Sequence, residues 1–452
     1  MKELIDRLKK GQPERLLAPR SEVPAVDAMP GQGEVELSGR RAVNFGTDDA
    51  LGLATDSRVK EAAAAAIRRY GTQGHATQVL TRELEERLAA FLGRERCRVS
   101  GDPAALLSPF AAATATVLSD ARHHVGLDRL LPRAVSHARG DLLALEAALA
   151  AAEGPTLLVA AGIHASEGDL SPLPRLLELC TRSSATLLVD ETRSLGVLGP
   201  TGAGAAEHLV GTEPSVLLAG SLSGALASRG FFVAGPRELV DTLEGSTLSP
   251  ANAAAALKAL ELIQSEPQRR ARLFDVTHKL LDGLRARGFD IGPTVTPRVP
   301  LWMGDEVRAV RFGRALIENG VLCQLVALPR RARLVLTPQA TQSDAQIDQA
   351  LAIVERTAKK LEMMPEPVGS ELAPIELARP GMSMFSSPCA QHWLLTQPAT
   401  QVPPAAMAPE PGTPRDVAAK LFDAVETLTW RAANVRAPAL RQLGALLTRK
   451  KR

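Results

Sequence analysis

One stretch, Thr186 to Gly235, constrains this chain more than any other. It begins with an apolar run, TLLVDET (Thr186–Thr192), and passes through a glycine-rich turn, SLGVLGPTGAG. A second apolar run, SVLLAG, follows, and then SLSGALASRGFFVAG. Short unbroken apolar runs belong to strands buried on both faces, as in the parallel sheets of α/β proteins. Such sheets carry their ligands outside the carboxyl ends of the strands. The first run ends on Asp190-Glu191 and the second exits through Ser221, so the pattern predicts an open α/β sheet with a ligand crevice beside those residues.

The remainder of the chain sets bounds on function. A length of 452 residues, 45% hydrophobic and 23% charged, suits two or more domains with a large core. A net charge of +3 is too small to argue for a nucleic-acid partner, and 3% aromatic content leaves few stacking platforms. The four cysteines, Cys97, Cys180, Cys323 and Cys389, have no paired spacing, so neither a disulfide framework nor a metal site is expected. The first residues, MKELIDRLKKGQPERLL, read as a charged amphipathic helix without a signal-peptide core. A cytoplasmic protein is expected, with any membrane contact peripheral.

Residues 364–412 are rich in Pro, Ala, Ser and Gln without periodicity and read as a disordered linker. Residues 413–452 read as a helix with Thr413 as N-cap and Pro414 at its first position. Val417, Leu421, Phe422, Val425 and Leu428 share one face, and the chain ends on Arg449-Lys450-Lys451-Arg452. That helix either folds back on the body or tethers the protein to a partner or an anionic membrane surface.

Val189–Gly204 (VDETRSLGVLGPTGAG) resembles a segment of the α-oxoamine synthases, pyridoxal-phosphate (PLP) enzymes that condense an amino acid with an acyl-CoA. Other blocks are similar to the same family. Asn44, Leu51, Gly52 and Leu53 match its opening segment, Ser100-Gly101-Asp102-Pro103 its phosphate turn, and Gly162, Gly168, Asp169, Pro172 and Leu173 a strand-loop-helix block. The resemblance spans roughly residues 40–360. It implies the PLP-dependent transferase fold type I: a large, mostly parallel sheet domain with helices on both faces and a smaller α+β C-terminal domain. The expected division is an arm at 1–45, a large domain at 46–248, a small domain at 249–363, the linker and the terminal helix.

The resemblance also assigns site residues. Asp190 would pair with the PLP ring nitrogen, Gly101 and Asp102 would sit at the phosphate, Ser221 and Ser223 would line the cofactor, and Arg333 would grip a substrate carboxylate. Several family residues are replaced. Arg193 stands where a histidine contacts the cofactor, Ala340 replaces another histidine, and no histidine falls at the ring-stacking position; His123 and His124 read as surface residues. Gly224 stands at the Schiff-base lysine, and there is no lysine between Lys60 and Lys258 to replace it. Arg193 is expected to pair with Asp190 or Glu191 and to fill the space of the ring. Asp102 sits badly with a phosphate and reads equally as a simple helix cap.

These replacements predict a non-catalytic homologue with no catalytic residue, no metal and no covalent cofactor, PLP being at most a non-covalent ligand. Its expected assembly is a homodimer, or a heterodimer with a catalytic paralogue. Two alternatives stay open: an active transferase that uses PLP without the usual lysine, contacting it through Asp190, Ser221, Ser223 and Arg333, and a binding module acting through the C-terminal linker and helix.

Overall fold

The computed structural model describes residues 26–73, 78–119, 135–136, 141–326 and 332–364. The N-terminal helix, His123, His124, the linker beyond residue 364 and the terminal helix expected from the sequence lie outside these residues. The described chain forms two compact units.

The first unit, within the described residues, contains 62–165 and 169–265 and is built on a seven-stranded sheet. Its strands are β4 (Arg96–Ser100), β5 (Thr116–Ser119), β6 (Val135–Ser136), β7 (Thr156–Ala161), β8 (Thr186–Asp190), β9 (Leu217–Ser221) and β10 (Phe231–Gly235), in the order β4-β10-β9-β8-β7-β5-β6. Neighbours from β9 to β6 run parallel, and β10 runs antiparallel to both β9 and β4. All six residues of β7 and all five of β9 and β10 are buried, which is why these strands read as unbroken apolar runs. On one face Leu157, Val159, Leu188 and Val233 pack against Leu106 and Leu107 of the helix Pro103–Ala113.

The second unit contains 26–61, 166–168 and 266–364. It holds a four-stranded sheet, β1 (Ala28–Gly31), β2 (Glu34–Leu37), β3 (Arg40–Asn44) and β12 (Val321–Leu322), and a three-stranded one, β11 (Val299–Gly304), β14 (Ala332–Leu336) and β13 (Gln324–Val326). Long helices at Gln268–Ala286, Glu306–Glu318 and Asp344–Lys360 pack on them around Phe45, Leu280, Phe312 and Leu351. The last helix starts on a capping box between Ser343 and Gln346.

The units divide the chain differently from the boundaries expected above. The described part of the arm, residues 26–45, belongs with the small domain because β3 pairs in parallel with β12, and the helix Pro250–Ser265 belongs with the large sheet. Three residues, Ser166–Gly168, leave the large unit and join the small one. They are clamped there: the Thr294 and Thr296 hydroxyls both donate to the Gly168 carbonyl, at 3.0 and 2.5 Å. Gly168 has φ +70°, and a Cβ there would lie 1.8 Å from the Arg298 carbonyl oxygen.

Strain in the left-handed region costs an L-residue on the order of 1–3 kcal/mol, before any clash with unyielding backbone. Gly168→Ala is therefore expected to lower stability by at least about 2 kcal/mol, measured by urea unfolding. An unchanged midpoint would show that the clamp on this loop is slack.

Candidate functional site

Because β10 runs antiparallel between β4 and β9, the carboxyl ends of β4, β9 and β8 lie on one edge of the sheet, bringing Ser100, Ser221 and Asp190 to a common margin. Asp190 is 3% exposed, and its Oδ1 accepts the Thr192 N–H at 3.0 Å. The Thr192 hydroxyl in turn accepts the Ser221 N–H at 3.0 Å, tying the exits of β8 and β9 together. The Ser221 and Ser223 hydroxyls are 2.7 Å apart, and the Ser223 N–H donates to Ser221 Oγ at 3.1 Å. The next residue is Gly224, which is buried and offers only its backbone; its carbonyl accepts the Ala227 N–H at 3.1 Å. Three of the sequence-predicted residues, Asp190, Ser221 and Ser223, are thus brought together, through a threonine that the sequence reading did not single out.

The expected pairing of Arg193 with Asp190 or Glu191 is not formed. Glu191 turns the other way: its carboxylate accepts the N–H groups of Ala205 and Ala206, both at 2.8 Å, and the Ser194 hydroxyl. Gly204, at φ +120°, makes room for it, since a Cβ there would lie 2.3 Å from Glu191 Oε2. Two backbone donors at a helix start satisfy the carboxylate better than one mobile guanidinium. Arg193 is left with its Nε buried and without a hydrogen-bond partner. Burial pushes the Glu191 carboxyl up to about 7, against the lowering effect of these hydrogen bonds.

The turn after β4 is closed on itself. Asp102 caps the helix Pro103–Ala113, its Oδ1 accepting the Ala104 N–H at 3.0 Å. The Asp102 N–H donates to Ser100 Oγ at 3.1 Å, and the Gly101 N–H to Ser246 Oγ at 3.0 Å. The Ala105 N–H donates to the Asp102 carbonyl at 3.2 Å, and Pro103 has no N–H at all.

Arg333 lies in the other unit. It is 0% exposed, and its Nη1 donates to Glu167 and, at 3.3 Å, to the Ser166 carbonyl. Trp302 faces it across the β11/β14 ladder, with the guanidinium carbon 3.9 Å from the ring centroid. Glu167 and Trp302 were missed in the sequence. The signal available was Glu167 itself, a carboxylate placed between Ser166 and Gly168 in a block already marked out by Gly168 and Asp169.

A family model described as aminotransferase class I and II matches residues 40–354. An 8-amino-7-oxononanoate synthase of Anaeromyxobacter sp. (strain K) is 36% identical over 353 residues, covering 72% of this chain and 88% of that protein. A serine palmitoyltransferase of Sphingobacterium spiritivorum is 32% identical over 358 residues, covering 73% and 90%. The chain belongs to the class I and II aminotransferase family, in its α-oxoamine synthase branch. Among solved structures, a lysine-to-alanine serine palmitoyltransferase from S. paucimobilis with bound PLP-myriocin aldimine superposes at a TM-score of 0.71 and 20% identity, covering 80% of this chain and 98% of that one. The fold is accordingly the PLP-dependent type I fold.

Membership allows the cofactor to be tested against these residues. A buried aspartate at the end of β8 suits a pyridinium nitrogen, and Asp190 is one. The phosphate seat does not fit: the N–H groups of Gly101, Asp102, Ala104 and Ala105 are already engaged, one of them by a carboxylate that would repel a phosphate in a site of low dielectric. Gly224, which the resemblance sets at the family's lysine, carries no amine. Lys258, the nearest lysine after it in sequence, pairs with Glu261 at 2.7 Å on its own helix.

Glu191 gives a test of this geometry through pH. With its carboxyl raised from 4.5 to about 7 in the folded chain, the folded state holds more protons than the unfolded one between those values. The group therefore contributes stability fully present below about 4.5 and lost as pH rises towards 7. Glu191→Gln is expected to remove that slope, so that wild type falls relative to the variant by about 2–3 kcal/mol over the window, read by urea unfolding at each pH. Parallel pH profiles would refute the burial of this carboxyl.

Proposed function

We propose that the protein is a non-catalytic homologue of the PLP-dependent acyl-CoA:amino acid C-acyltransferases, serving as a partner subunit or dimeric platform. What carries this reading is the state of the crevice, with Gly224 at the amine position and Asp102 closing the phosphate turn. The family's reaction uses one lysine twice, as the covalent handle and as the base beside the reacting carbon. Loss of a positioned base alone removes about 10²–10⁴-fold of rate. A homodimer, or a heterodimer with a catalytic paralogue, is the assembly that gives such a subunit work to do. A location inside the cell, with the basic C-terminal segment touching a protein or an anionic membrane, belongs to the same proposal; among the described residues no helix is long and apolar enough to cross a membrane.

The comparisons weigh towards the second reading, an active transferase. The relatives at 36% and 32% identity are named as a synthase and a transferase and are covered over most of their length. The solved serine palmitoyltransferase lacking its lysine is described as holding a PLP-myriocin aldimine. On this reading an amine-bearing ligand supplies the nitrogen that Gly224 cannot, and Asp190, Ser221 and Ser223 position the complex in the crevice.

One experiment separates the two. The pure full-length protein is incubated with PLP, with and without small amino acids, treated with borohydride, and followed by absorbance and intact mass, while thiol release is measured with an acyl-CoA panel. The first reading expects no reducible chromophore and no thiol release on wild type. It expects an adduct only when handle and seat are both restored, in Asp102→Gly/Gly224→Lys. A wild-type chromophore near the visible edge, or acyl-CoA turnover, sinks the first reading and establishes the second. Copurification with mass identification then names the partner.

A further inference from the structure

A fully buried guanidinium has to be answered by partners inside the fold, and the resemblance implies that at this arginine the family's enzymes meet a substrate carboxylate. Here the chain brings its own. Arg333 donates to the Glu167 carboxylate and to the Ser166 carbonyl, and its flat face is covered by Trp302. The Ser166 hydroxyl also donates to Glu167. The Glu167 side chain is 16% exposed while that of Arg333 is 0% exposed, so the carboxylate stands on the outer side of the guanidinium. The short segment that carries it is not adaptable. Two threonine hydroxyls hold the Gly168 carbonyl, and Gly168 is pressed against the Arg298 backbone.

We propose that Glu167 is the permanent occupant of a carboxylate seat whose floor is Arg333 and whose wall is Trp302, and that it excludes free carboxylate ligands, α-amino acids among them, from that arginine. This deepens the non-catalytic reading and rests on it for its consequence: a second anion seat, in a different unit from the phosphate turn, is filled by the chain itself. Removing the side chain beyond Cβ leaves a cationic hole of the size of a small carboxylate. Such a hole is refilled by formate or acetate and not by chloride, because a planar anion meets a guanidinium through two parallel hydrogen bonds.

The test is a thermal-unfolding titration of the full chain with sodium formate, sodium acetate and glycine, each against sodium chloride at equal ionic strength. Wild type is expected to respond to none of them beyond the chloride control. Glu167→Ala is expected to lose several degrees in Tm and to regain more than half of the loss, saturably, with formate or acetate. Adding Arg333→Met is expected to abolish the regain. Where Glu167→Ala does not fold, Glu167→Gln is compared with Glu167→Gln/Arg333→Met: removing one partner of a buried pair strands the other, so the double variant is expected to be the more stable of the two.

A saturable response of wild type to acetate or glycine overturns the inference. So does a Glu167→Ala variant that is as stable as wild type or is not rescued, or a double variant less stable than Glu167→Gln. These outcomes are separate from those of the borohydride experiment. A wild type that binds glycine but forms no PLP chromophore overturns this inference alone, and one that forms the chromophore while ignoring acetate overturns the non-catalytic reading alone.

Discussion

A charge removed from water must be answered inside the fold, and in this protein the answers come from neighbours in the same chain. Breaking a buried ion pair on one side typically costs about 3–5 kcal/mol, because the remaining charge is stranded. That constraint fixes Arg333 on Glu167. It fixes Glu191 on the N–H groups of Ala205 and Ala206, and Asp49, whose carboxyl burial pushes up to about 7, on those of Leu53 and Ala54. Backbone donors recur because they are held rigid by the helices and turns they start and carry no rotamer entropy to lose.

The same principle orders the polar residues at the carboxyl edge of the large sheet. The seven-stranded sheet still delivers Asp190, Ser221 and Ser100 to one edge, because strand order and direction depend on apolar runs rather than on the polar residues that follow them. The polar residues that follow the strands pair with each other. Thr192 does so between two strands, and Asp102 does so within one turn. The three cysteines among the described residues are buried, with their thiols pushed up, Cys180 and Cys323 to about 12, so they offer no substitute nucleophile.

Much of this was legible in the sequence wherever one residue and its immediate neighbours decide the outcome. The runs ending in Asp190 and Ser221 announced strands, and Asp102 before Pro103 announced a helix cap. What could not be read was pairing at a distance. Glu167 and Arg333 are 166 positions apart, and nothing local in either residue names the other. Arg193 was assigned to the carboxylates nearest in sequence, whereas Glu191 takes donors 14 and 15 residues onward. The grouping into compact units rests on pairing at a distance as well: the arm looks like a preface until β3 is seen lying beside β12.

Asp102 also couples the chemistry of its turn to the stability of the helix that follows. As an N-cap it holds the helix Pro103–Ala113 in place, a contribution worth roughly 1 kcal/mol at such a position. A substitution that removed the Asp102 carboxylate from the turn would take that cap away with it. Opening the turn and steadying its helix are therefore opposed demands on one side chain.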